Sequence, residues 1–135
     1  FLLFDVDKFK HINDTYGHSI GDEVLIQVAD ALKQTFEQAG VCMRLGGDEF
    51  AVYAPEITEQ MQAETMIQAF FERIRNIAIP QMEGDAISVS LGAVLCAPDR
   101  EHVFEKVYQR ADATMYTCKK VVGSSYDFYT GRTPA

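Results

Sequence analysis

The chain has 135 residues, 47% of them hydrophobic and 24% charged, which suits one compact domain with a buried core. A formal net charge of −8, with no sizeable Lys/Arg cluster, argues against nucleic acid as a partner. No apolar run approaches the roughly 18 to 20 residues of a membrane span, and the opening "FLLFDVDKFK" lacks the ordered regions of a signal peptide. A cytoplasmic setting is expected, with membrane anchoring elsewhere in a longer protein left open.

In chain order, "FLLFDVD" is a short apolar run that breaks into acids, as a buried strand does where it emerges at a polar edge. "KHINDTYGHSIGD" is rich in Asn, Asp, Ser, Thr and Gly and reads as a connecting stretch, with a helical turn near Phe9 to Ile12. From Asp22 to Gln38, Val24, Leu25, Val28, Leu32 and Phe36 recur at helical spacing, with Asp22 placed to cap the helix and Gly40 to stop it. "VCMRL" and "EFAVYA" are strand-like and flank Gly46, Gly47 and Asp48, a hairpin signal because glycine supplies the positive φ of tight turns.

After Pro55, Met66, Ile67, Phe70, Phe71, Ile74 and Ile77 mark a second amphipathic helix that ends before Pro80. "AISVSLGAVLC" alternates Ile87, Val89 and Leu91 with Ser88 and Ser90, which predicts a strand with one wetter face. Val103, Phe104, Val107, Ala111, Met115 and Cys118 predict a third helix, and "YDFYT" a last short strand. The order β-α-β-β-α-β-α-β predicts an α/β (α+β) fold: a mostly antiparallel central sheet flanked by helices, as in a ferredoxin-like palm. Cys42, Cys96 and Cys118 are odd in number and form no C-x-x-C pair, so they are expected to be reduced core thiols.

Two competing motifs fail on context. "GHSIG" fits the G-x-S-x-G nucleophile elbow, but "NDTY" before it is a turn rather than a strand, and His102 is the only later histidine. His11, His18 and His102 have no i,i+4 pairing, so no zinc site is indicated.

The residues with chemical potential are Asp5 at a strand end and Asp48 with Glu49 at a hairpin tip, which meet at one sheet edge if the first strand lies beside the hairpin. Charge is also simply solvated at such places. Hard oxygen ligands of this kind suit Mg²⁺, which takes a few carboxylates together with waters and substrate phosphates. Phosphoryl or nucleotidyl transfer is the chemistry they suggest, with Gly46 and Gly47 admitting backbone N–H groups to a phosphate.

"DVDKFKHINDTYGHSIGDEVL" followed by "RLGGDEF" resembles the two signature segments of the GGDEF-domain diguanylate cyclases, in matching order. The resemblance extends through "SVSLG" and "RADATMY" to nearly the whole chain, so residues 1–135 are expected to be one GGDEF domain without the family's amino-terminal helical segment. It implies a palm similar to that of the class III nucleotide cyclases. It also implies an enzyme of bacterial second-messenger signalling that joins two GTP into cyclic di-GMP with release of pyrophosphate. Mg²⁺ or Mn²⁺ would be the cofactor, a homodimer would form during catalysis, and sensory or regulatory domains would be attached.

Residue by residue, the resemblance makes Asp5, Asp48 and the Val6 carbonyl metal ligands, and places Glu49 at the metal site or near the attacking 3′-hydroxyl. Gly46 and Gly47 would adjoin ribose and phosphates, Phe9, Lys10 and Lys119 would meet phosphates, and Asn13 and Asp22 would recognise guanine. Asn13 and Asp22 read equally as a turn former and a helix cap on their own. Two departures stand out: Gly123 occupies the place of a phosphate-contacting Arg or Lys, for which Lys120 could substitute, and "EQAG" (Glu37 to Gly40) replaces the Arg-x-x-Asp site at which many relatives bind product. The alternative reading is a catalytically silent module that binds GTP and signals to a neighbour.

Overall fold

The computed structural model describes residues 1–82, 85–96 and 103–130. Its elements are β1 (Leu2–Val6), α1 (Phe9–Tyr16), α2 (His18–Phe36), β2 (Val41–Gly46), β3 (Glu49–Tyr53), α3 (Gln60–Arg75), β4 (Val89–Ala93), α4 (Phe104–Cys118) and β5 (Ser125–Phe128). They form a five-stranded sheet in the order β2-β3-β1-β4-β5, antiparallel at every junction except the parallel β4–β5 pair. The strands β1 to β4 with the helices between them make the βαββαβ unit expected from the sequence. His102 lies outside the described residues.

Strand alternation divides the core between two faces. Phe4, Phe50, Val52 and Leu91 point to one side and meet Val24, Val28 and Phe36 of α2 and Ile67, Phe70 and Ile74 of α3. Phe4 stacks on Phe50 with ring centroids 5.3 Å apart and lies 4.9 Å from Phe70, so three elements close around one aromatic cluster. Leu3 and Ala51 point to the other side, where Val107, Ala111 and Met115 of α4 cover them. Gly92 is what lets α4 lie so close: a Cβ there would fall 2.2 Å from the Ala111 carbonyl oxygen and 2.6 Å from the Met115 nitrogen.

Three expectations about the helices need correction. The stretch after β1 is a two-turn helix, α1, rather than a connection with one helical turn, because Phe9, Ile12 and Tyr16 share a face that packs on the main core. This packing outweighs the turn preferences of Asn13 and Asp14. With Gly17 at φ 90° as the joint, α2 begins at His18, so Asp22 lies inside the helix and caps nothing. The second helix ends at Arg75, before Ile77, where the Asn76 N–H donates to the Glu72 carbonyl.

The face of β4 expected to be wetter is closed as well: Ser90 is fully buried. Its hydroxyl donates to Asp7 Oδ1 at 2.6 Å, and the Ser88 hydroxyl donates to Asp7 Oδ2 at 2.7 Å. The three cysteines are free thiols, but only Cys118 is buried; Cys42 and Cys96 are half-buried. Among the described residues no helix is long and apolar enough to cross a membrane.

Candidate active site

The same alternation that seats Leu3 and Ala51 under α4 puts Asp5 and Glu49 on that face, directly opposite each other across the β1–β3 ladder. The Val6 N–H donates to the Asp48 carbonyl at 3.3 Å, which ties the end of β1 to the hairpin tip. Asp5, Val6, Asp48 and Glu49, separated by more than forty residues in sequence, therefore share one sheet edge. Asp48 and Glu49 are half-buried, and the Asp5 side chain is 14% exposed.

The hairpin tip owes its shape to backbone chemistry. Gly46 and Gly47 adopt φ 154° and 50°, and a Cβ on either would meet nothing within 4 Å. Conformation rather than lack of space thus calls for glycine here. The ladder shifts register between Arg44 and Gly46, and the Arg44 guanidinium donates from Nε and Nη2 to the Gly47 carbonyl at 3.0 and 2.7 Å. This arginine braces the turn; in the sequence it stood only as a flank of "GGDEF".

From the other side, α4 reaches both acids. Lys119 Nζ donates to Asp5 Oδ1 at 2.5 Å, and the Tyr108 hydroxyl donates to Glu49 Oε1 at 2.6 Å. Burial pushes the Asp5 carboxyl above its ordinary pKa; Lys119 opposes the shift, while Asp48 and Asp7 reinforce it. The Tyr108 phenol is pushed up to about 12, chiefly because it donates to the Glu49 carboxylate. Lys119, expected near phosphates, is thus found on Asp5. Tyr108 carried no sequence signal beyond being an aromatic residue on an amphipathic helix.

A second group forms where α1 crosses α2. A Cβ on Gly21 would fall 1.8 Å from Asn13 Oδ1 and 3.3 Å from Phe9 Cζ, so both side chains lie against the bare backbone of Gly21. Asp22, the next residue, is exposed, as is Lys10. The structure brings Phe9 and Asn13 together against Gly21, the residue before Asp22, and α1 springs from the edge that carries Asp5. Gly123 has φ 86°, a conformation that disfavours any residue bearing a Cβ, and Lys120 is exposed.

Among the described residues no three His, Cys, Asp or Glu side chains cluster as a metal cage. Mg²⁺ does not need one, because one or two carboxylates with carbonyl, water and phosphate oxygens suffice. Asp5 and Asp48 are hard oxygen donors that repel each other in a partly desolvated place, so the donor set fits such an ion. A cavity of about 480 Å³ lies at the opposite end of the sheet, lined by Leu2, Tyr53, Ala93 and Phe128 among others, away from these acids.

The sequence profile described as "Diguanylate cyclase, GGDEF domain" matches residues 1–124. The chain is 38% identical over 127 residues to the diguanylate cyclase DosC of Escherichia coli, covering 88% of this chain but only 26% of that protein. In structure it resembles the GGDEF domain of DgcB from Caulobacter crescentus, solved in complex with c-di-GMP, with a TM-score of 0.83 and 26% identity over 95% of this chain and 75% of that one. It also resembles the active GGEEF domain of a diguanylate cyclase from Vibrio cholerae, with a TM-score of 0.76 and 26% identity over 96% of this chain and 81% of that one. The fold and the edge bearing Asp5, Asp48 and Glu49 thus have a family: the chain belongs to the GGDEF-domain diguanylate cyclases.

Proposed function

We propose that this domain is a working diguanylate cyclase, which condenses two GTP molecules into cyclic di-GMP and releases two pyrophosphates. The observation that carries this reading is the meeting of Asp5, Asp48 and Glu49 at one sheet edge beside the Gly46–Gly47 turn. In each of two steps a ribose 3′-oxygen bonds to the α-phosphorus of the other nucleotide, the bond to the β-phosphate oxygen breaks, and pyrophosphate leaves.

Asp5, Asp48 and the Val6 carbonyl hold Mg²⁺ or Mn²⁺, which when bound offsets charge on the triphosphate. Glu49 serves the attacking hydroxyl. Gly46 and Gly47 leave the turn's backbone free to approach ribose and phosphates, while Phe9, Lys10 and Lys119 border the phosphates. Asn13 and Asp22 read guanine: a carboxylate accepts from its N1–H and exocyclic amine, and an amide can donate to its ring acceptors. Each domain carries one GTP, so two copies must face each other for the reaction. The chain spans about a quarter of the length of DosC, which supports a module joined to sensory or regulatory domains in a longer protein.

The test is product identification from GTP and Mg²⁺ with dimerised protein. Cyclic di-GMP is expected from the wild type and none above background from Asp48→Ala; turnover unchanged in that variant would defeat the metal assignment. Gly123, which supplies no cation where relatives place a phosphate-contacting Arg or Lys, favours a second reading as a silent GTP-binding module. GTP binding without any cyclic dinucleotide would support it.

A further inference from the structure

We propose that Tyr108 is a positioning residue for Glu49, fixing that side chain so that one carboxylate oxygen, Oε2, is left for the nucleotide; the functional part of this inference rests on the cyclase reading above. The Tyr108 hydroxyl donates to Glu49 Oε1 at 2.6 Å, and among the described residues this is the only hydrogen bond made to that carboxylate. A glutamate has three side-chain torsions to restrain, and the ladder opposite Asp5 restrains only its backbone. A hydrogen bond to an ionised acceptor is among the stronger kinds and sets direction as well as distance.

Tyr108 is itself well held. Its ring centroid lies 6.1 Å from that of Phe104, one turn earlier, and its neighbours Val107 and Ala111 are buried against the sheet. About three turns further along the same side of the helix, Lys119 takes Asp5. One helix therefore holds both members of the cross-strand acid pair, from opposite ends. Packing alone would be served by phenylalanine at 108, so the hydroxyl is the atom that distinguishes a positioning role from a core role.

The experiment is a double-mutant cycle with Tyr108→Phe, Glu49→Ala and the combined variant, read in urea-induced unfolding and, for Tyr108→Phe, in cyclic di-GMP formation. Tyr108→Phe is expected to reduce the folding equilibrium constant about tenfold when Glu49 is present and less than twofold when it is alanine, the size of one charge-assisted hydrogen bond. It is also expected to lower kcat about tenfold with KM for GTP changed less than twofold. Equal folding effects in both backgrounds would overturn the contact, and an unchanged kcat, or a loss carried by KM, would overturn the positioning role. Were the wild type to form no product, the cyclase reading would fall, and the folding cycle would still decide whether Tyr108 fixes Glu49.

Discussion

Asp5 and Glu49 stand opposite each other on neighbouring antiparallel strands; Tyr108 of α4 grips Glu49, and Lys119, which caps the end of α4, grips Asp5. Burial raises the cost of ionising Asp5, and the nearby Asp48 and Asp7 carboxylates add to it. The acidic edge is thus a point of stored instability in the domain.

The sign of the Asp5 shift makes this testable. Its folded pKa is raised above 3.8, so the folded state binds the proton more tightly than the unfolded chain does. The stability associated with that proton is present below the unfolded value and is lost as pH rises through the folded one. Asp5→Asn should therefore melt at a higher temperature than the wild type near neutral pH, with a flatter dependence on pH in the acid range, while losing turnover. Thermal unfolding followed between pH 4 and 7 checks it, and a variant that melts lower at pH 7 would show that the Lys119 ion pair outweighs the burial.

Gly21→Ala separates recognition from stability. In a helix interior alanine is favoured over glycine by about 1 kcal/mol, and the atom in its way is the end of a movable side chain, Asn13 Oδ1. The protein should fold as well as before, yet Asn13 must swing away from position 21. Calorimetry should show GTP affinity falling about tenfold, the value of one or two polar contacts, with ATP binding little altered.

Gly47→Ala should behave in the opposite way. The added methyl meets nothing, but φ 50° costs a non-glycine residue about 1 to 2 kcal/mol. Chemical denaturation should report a loss of that order, and Gly47→Asn a smaller one, since asparagine tolerates the left-handed region. Equal stability of all three would mean that the turn relaxes freely.

Product feedback through the segment before β2 is not expected. Glu37 is exposed where many relatives carry arginine, and a negative charge there repels the phosphates of cyclic di-GMP. Gly40 stands where they carry aspartate, and a Cβ at that position would fall 1.9 Å from the Tyr53 carbonyl oxygen. Titrating cyclic di-GMP into the assay should give no inhibition sensitive to Glu37→Ala; tight inhibition relieved by that change would refute this.

Much of the framework was legible because it follows from periodicity. Phe4 and Phe50 alternate with Asp5 and Glu49, and Val24, Val28 and Leu32 repeat at helical spacing, so local rules and tertiary packing agree. Disagreement arose where packing outweighed composition. Phe9, Ile12 and Tyr16 already carried a helical stripe, masked by the polar residues between them, and once α1 forms Asp22 has no helix end to cap. Ser88 and Ser90 looked like a wet face because nothing local reveals that Asp7, more than eighty residues away, receives their hydroxyls. The braces of the candidate site, Arg44 on the turn and Tyr108 on Glu49, are partnerships across space that spacing does not encode.

The contact at Gly92 has a mechanical meaning. Where helix and strand meet backbone to backbone, with less than the width of a methyl group between them, α4 can neither roll nor slide without lifting off the sheet. Helix and sheet move as one piece, and Tyr108 and Lys119 are carried with them as fixed jaws. An input that switches such a domain has little to bend inside it. If two copies face each other as proposed, the lever left to such an input is the distance and angle between them.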